Sequence, residues 1–385
     1  MVIRDNTQDS SNLHFQSYNP FTDFDTVSNI WQSLSSKRRH SYFVSWGWIS
    51  TWIKSLPTDI DVRLIAGFAG SEPAIAFFVG QNKRNSHRFI PTRTISLNST
   101  SNRYYDELTI EYNSILFNPS IAIDKELLFG HLNSISWDEF RMPGVSSDFV
   151  SDFNLVENIN HGPRVLVDEV VNSFFVDLQK IRDAGMDYLR LLSANKRSQI
   201  RRSIKQYEAE GKIEIREAES PEESVTMLGQ LAALHQQEWE GRGKPGSFSN
   251  NYFRQFHTNL IQNRHRENEI QLLHVFNKKG TLGFLYNFIH DGNVLYYQSG
   301  FNYSDGNVYR PGLVSHYFAI IHNAEKGLAT YNFLAGNSSY KSSLSTNSNS
   351  MYWVRFIKNR WRFYFEKKLA SLRRRAGTKN EPDAK

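Results

Sequence analysis

The segment LHQQEWEGRGKPG, Leu234 to Gly246, holds residues that can do chemistry at helical spacing. His235, Glu238 and Arg242 fall at i, i+3 and i+7, which places them on one helix face. Either His235 or Glu238 can act as a general base, and Arg242 can bind an anionic group. Trp239 beside them reads as a packing residue or the wall of a cleft. A second stretch, GNVYRPGLVSHYFAII (Gly306 to Ile321), sets Arg310, Pro311 and Gly312 at the start of an apolar, helix-like run that continues through Leu313 and Val314. A helix N-terminus has unpaired N–H groups and partial positive charge, so it suits an anion if no side chain blocks the approach. Gly312 leaves that approach open, Pro311 fixes the entering backbone and Arg310 adds a cation. Taken alone, Pro-Gly before a helix is an ordinary turn. Metal chemistry has no support: the twelve histidines are scattered without HxH or HExxH spacing, and there is no cysteine.

The elements that must position these groups follow from periodicity. In the first 60 residues, FDTVSNIWQSL and YFVSWGWISTWIKSL read as helices. DVRLIAGF, PAIAFFVG and HRFIPTRTISL read as strands, and residues 104–160 show no clear pattern. In the second half, NKRSQIRRSIKQYEAEG reads as a helix ending at Gly211, and KIEIREA as a strand. SPEESVTMLGQLAALHQQEWE opens as a capping box on Ser220, Pro221 and Glu223. Another helix starts at Ser249, where Phe248 and Phe253 can form a hydrophobic staple. EIQLLHVF, TLGFLYNFIH and NVLYYQSGF are strands joined at Lys279-Gly280 and Asp291-Gly292. A helix from about Gly312 to Lys326, stopped at Gly327, leads to a last strand, TYNFLAG. RLIAGFAGSEPAIAFF and QLLHVFNKKGTLGFLY align without a gap 208 residues apart, which suggests two copies of one α/β unit.

Composition sets the frame. The 385 residues are long enough for two or three domains, and 39 % hydrophobic content with 27 Phe, 18 Tyr and 8 Trp supplies their cores. The absence of cysteine excludes disulfides and a thiolate nucleophile, and it fits a reducing compartment. No signal peptide or spanning segment is visible, so a cytoplasmic protein is expected. The net charge of +6 is concentrated in KRSQIRRSIK and in the tail from Arg355 to Arg375, which argues against a whole-surface nucleic-acid binder. The tail, WVRFIKNRWRFYFEKKLASLRRR, reads as a basic amphipathic helix, suited to the inner membrane surface or to docking on its own domain.

A β-hairpin, an aromatic strand, a glycine-containing loop, a helix and a further strand, in that order, resemble the acyl-CoA-binding half of the GNAT acyltransferase fold. The usual Arg/Gln-x-x-Gly-x-Gly/Ala pattern is degenerate here, as Arg310-Pro311-Gly312-Leu313-Val314. KRSQIRRSIK, LHQQEWEGRGKPGSF, YYQSGFN, PGL and NFLAGNSSYK, spread over Leu191 to Lys341, resemble the double-GNAT branch. That branch holds Fem-type aminoacyltransferases and bacterial acetyltransferases associated with cellulose and exopolysaccharide synthesis. The resemblance implies an α/β (α+β) fold of two tandem GNAT-like domains, each a mixed, mostly antiparallel sheet flanked by helices. Their expected extents are 1–165 and 166–350, followed by the basic helix at 351–376 and a disordered tail at 377–385. It further implies transfer of an acetyl or longer acyl group from acyl-CoA, without a metal, to an amine or hydroxyl of a sugar or cell-envelope precursor. The pyrophosphate would sit at Arg310–Val314 and the pantetheine along the edge of Tyr296–Gly300, with Ser299 and Asn302 near the thioester. Tyr340 would protonate the departing thiolate, and Lys341 would bind phosphate or an acidic acceptor group. Two alternatives stay open: Fem-type transfer from tRNA, and a catalytically idle module held near a membrane-bound polysaccharide synthase.

Overall fold

The computed structural model describes residues 13–86, 90–123, 125–155, 163–303 and 309–358. The first half comprises β1 (Leu13–Tyr18), α1 (Phe24–Ser35), α2 (Trp46–Ser55), β2 (Val62–Ala69), β3 (Glu72–Ser86), β4 (Ile90–Leu97), β5 (Leu116–Phe117), α3 (Lys125–Leu132), β6 (Glu139–Ser146) and α4 (Ser147–Asp152). β7 (Arg164–Asp177), α5 (Leu178–Asp183), α6 (Ala194–Glu208), β8 (Glu214–Glu217), α7 (Pro221–Gly241), α8 (Asn251–Arg264), β9 (Ile270–Asn277), β10 (Gly280–His290) and β11 (Asn293–Phe301) follow. The described chain closes with α9 (Pro311–Glu325), β12 (Thr330–Ala335), α10 (Ser339–Leu344) and β13 (Asn347–Ile357).

Local chemistry sets the helix starts as read from sequence. Ser220 Oγ accepts from the Glu223 N–H at 3.0 Å, and the Glu223 carboxylate accepts from the Glu219 N–H at 2.8 Å, one residue further back than a simple capping box. The Phe248 and Phe253 rings meet edge to face at 5.2 Å, and Asn250 caps α8.

The internal repeat is real in three dimensions. β2 and β9 begin 208 residues apart, as do β3 and β10. The two hairpins share their register at that offset: Val62 pairs with Gly80 and Ile270 with Phe288. Both carry a bulge at the equivalent place, opposite the Gly67–Phe68 step in one and the Val275–Phe276 step in the other. Each hairpin extends to a third strand and then to a parallel one, β4 beside β6 and β11 beside β12.

The copies are joined by exchange. β7, which closes the first copy, pairs with β12 of the second, while β13, which closes the second copy, pairs with β6 of the first. β7 and β13 also pair with each other, so one sheet runs β1-β2-β3-β4-β6-β13-β7-β12-β11-β10-β9-β8, with β5 beside β3. The helices α1, α2, α7 and α8 cover one face with a single aromatic core, where Trp48 packs edge to face on Phe256 at 4.8 Å and on Phe43 at 4.9 Å. The other face carries one core in each half.

Three readings change. A boundary at 165/166 falls inside β7. Residues 351–357, read as the start of the basic helix, are strand. Met351, Val354 and Phe356 alternate inward once a bulge at Trp353/Val354 is counted, and both edges of β13 are paired. The rest of that segment, 359–376, and the tail at 377–385 lie outside the described residues. The strand at Leu13–Tyr18, unread in the sequence, forms the edge beside β2.

Candidate active site

Where β11 and β12 stop pairing after Leu295 and Asn332, the sheet opens. A cavity of about 460 Å³ lies beside the end of β11, between α7 and α9. Its wall includes His235, Glu238, Trp239, Arg242, Ser299, Arg310, Gly312, Leu313 and Tyr340, nine of the residues singled out from sequence. Tyr296, Gln298, Gly300, Phe301, Tyr303, Ser247 and His316 complete it.

α7 is held hard against β11. A Cβ on Gly300 would fall 2.3 Å from the Leu231 carbonyl oxygen and 2.9 Å from Leu234 Cβ, so only glycine permits this approach. His235 is nearly buried, meets the Phe248 ring at 5.1 Å, and is pushed below its ordinary pKa by burial. Glu238 is paired with Arg242, which caps the helix end and lies over the Trp239 ring at 5.9 Å. Arg242 therefore follows α7 rather than sharing its face.

On the opposite side, α9 starts without a side-chain cap. Arg310 occupies the left-handed region at φ 46°, and its carbonyl accepts from Leu313 N at 3.0 Å and Val314 N at 3.2 Å. Gly312 turns out to serve packing: a Cβ there would meet the Phe301 ring at 3.0 Å. From α6, Lys196 comes close enough to Arg310 for the two charges to interact, and burial followed by that repulsion lowers its pKa. The Tyr340 and Tyr296 hydroxyls are hydrogen-bonded, and the Tyr296 and Ser299 hydroxyls meet at 2.6 Å, giving a hydroxyl chain along the cavity. Burial raises the Tyr340 pKa, so the phenol keeps its proton across the working range.

Four expected residues lie elsewhere. Val314 is fully buried core and Pro311 is packed beneath the first turn of α9. Asn302 binds back onto β10, its N–H to Leu282 O at 2.9 Å and its amide to Thr281 O at 3.2 Å. Lys341 donates to Ala335 O at 2.6 Å, holding the end of β12, where it faces Glu111 of the first half. His316 and Tyr296 were missed because both read as part of apolar or aromatic runs. The usable signal was that His316 stands one helical turn after Gly312, on the same face.

A family model described as an acetyltransferase (GNAT) domain matches residues 194–342. That stretch is similar to a GNAT acetyltransferase domain. It contains α6 to α9, the β8–β12 strands and most of α10, and therefore every wall of the cavity. Among solved structures, FemX matches with a TM-score of 0.51 at 11 % identity, covering 86 % of this chain and 96 % of that one. L-PGS from Bacillus licheniformis gives 0.50 at 13 % identity, with 86 % and 92 % covered. A protein of unknown function from Bacteroides thetaiotaomicron gives 0.51 at 10 % identity, with 90 % and 100 % covered. At such identities the likeness shows the fold alone: the chain as a whole is built like FemX and L-PGS, with the GNAT-like stretch in its second half. No curated protein sequence matches the chain significantly. Among the described residues no helix is long and apolar enough to cross a membrane, and no cluster of three His, Asp or Glu could hold a metal.

Proposed function

We propose that the GNAT domain transfers an acyl group from acyl-CoA to an amine or hydroxyl on a sugar or cell-envelope precursor. One observation carries this reading: the uncapped N-terminus of α9, with Arg310 and Lys196 beside it, opens onto the same cavity as the Tyr340 hydroxyl. The first suits a pyrophosphate and the second stands where a thiolate would leave. In this reading the nucleotide phosphates lie at Arg310 and the first turn of α9, and the pantetheine follows β11 past Gln298 and Ser299.

The acceptor amine or hydroxyl attacks the thioester carbonyl carbon and loses its proton. His235 is the better base, because burial keeps its imidazole neutral while Glu238 is tied to Arg242. As the C–S bond breaks, Tyr340 donates its proton to sulfur, and Tyr296 and Ser299 offer a hydroxyl path for reprotonation. Trp239, Arg242 and the half-exposed Tyr303 present a flat ring and a cation, which suits a sugar bearing an anionic group.

The test is isothermal titration of the full chain with CoA and acetyl-CoA, then a screen of amino sugars for CoA release. Absence of binding to any CoA species refutes the reading. Gly312→Glu is a poor probe here, since it would also drive a side chain into Phe301.

A further inference from the structure

We infer that His316 donates its Nε2–H to the carbonyl oxygen of the acyl group received by this cavity, so that the site favours the acylated ligand over free CoA. The inference rests on the acyl-CoA reading above. His316 is 1 % exposed and forms part of the cavity wall. Its Nδ1 lies 3.1 Å from the hydroxyl of Tyr331, itself fully buried. Among the described residues Nδ1 is the one partner found for that hydroxyl, and a buried O–H without an acceptor is costly. Tyr331 therefore donates to Nδ1, which places the imidazole proton on Nε2.

Nε2 has no partner. The ring is boxed by Tyr296 edge-on at 4.6 Å, Phe333 at 5.2 Å, Tyr340 stacked at 5.6 Å and Phe301 at 5.7 Å. Burial, with Lys341 adding to it, holds the imidazole down to about 3, so it remains a neutral, single donor. His257 is also buried with a free Nε2, but it lies among core rings and lines none of the described cavities. The position at His316 differs in one respect that matters. Its stacked neighbour Tyr340 is the group assigned to the departing sulfur, so the donor stands beside the thioester, where an acyl oxygen is present before transfer and gone afterwards.

Isothermal titration of CoA and acetyl-CoA into the full-length wild type, His316→Phe and His316→Gln tests this. The wild type should hold acetyl-CoA more tightly than CoA. His316→Phe, which keeps a ring and loses the donor, should weaken acetyl-CoA by about tenfold while leaving CoA unchanged, and His316→Gln should recover most of the loss. An equal change for both ligands marks His316 as structural and overturns the inference. So does acetyl-CoA binding unaltered in His316→Phe. A wild type that binds no CoA species refutes the acyl-CoA reading itself, whereas CoA binding without any preference for acetyl-CoA refutes only the role of His316. If the variants fail to fold, a long-range ¹⁵N–¹H spectrum of the wild type still decides: an Nδ1–H tautomer at His316 overturns the inference.

Discussion

Replacing Arg310 by Gln tests whether the start of α9 is built for phosphate. Glutamine keeps a long side chain and the same left-handed backbone cost at φ 46°, so the change isolates charge. Lys196 and Arg310 repel each other, and no ion pair to a described carboxylate is seen for either. On the proposed reading, the phosphates of acyl-CoA are the anion that completes this pair. A charge-assisted contact to phosphate contributes about 1.5–3 kcal/mol, so CoA affinity should fall about 10- to 100-fold. In the unliganded protein the sign reverses: relief of repulsion should leave stability equal or a few tenths of a kcal/mol higher. The pH dependence follows the same logic. A lysine held below its ordinary pKa costs stability at neutral pH, and that cost disappears as pH rises toward 10.5. Arg310→Gln should flatten this rise. Calorimetry at two salt concentrations, with thermal melts from pH 7 to 10, measures all three effects. Unchanged CoA affinity, or a clear loss of unliganded stability, refutes the reasoning.

Three more outcomes are expected. Gly300→Ala should destabilise by about 1–3 kcal/mol in denaturant melts, because its Cβ meets the α7 backbone; a change under 0.5 kcal/mol would contradict that packing. Tyr340→Phe keeps the ring stack and loses the proton donor, so single-turnover acyl transfer should slow by 10²–10⁴, order of magnitude, at unchanged acetyl-CoA affinity. Glu111, whose pKa burial raises to about 7, should make the folded state less stable as pH rises from 4.5 through 7, by at most about 3 kcal/mol. Glu111→Gln should abolish that slope in urea titrations, and a slope that persists counts against the assignment.

The sequence made the second half legible because its signals are local. Ser220, Pro221 and Glu223 mark a helix start, Asp291-Gly292 a hairpin, and Gly327, at φ 78°, a helix stop. Nine of the thirteen singled-out residues meet in one cavity because helix and strand periodicity already fix which faces turn together. What stayed hidden is set by partners distant in sequence. The stretch 351–357 of β13 reads as helix in the sequence since the bulge disguises the alternation, and its pairing with β6 lies about two hundred residues away. Lys341 looked like a ligand-binding cation until Ala335 O and Glu111 claimed it. For His316 the one local sign is its place a helical turn after Gly312, while its role depends on Tyr331, fifteen residues away, fixing which nitrogen carries the proton.

The exchange of β7 and β13 also bears on how the chain is made. During synthesis β6 emerges about two hundred residues before β13, the strand that covers its free edge. At about 5–20 residues per second that edge waits roughly 10–40 s, open to pairing with another chain. Nascent chains stalled before Asn347 should therefore engage holding chaperones far more than chains stalled past the end of β13, and the first half alone should not be recoverable as a monomer.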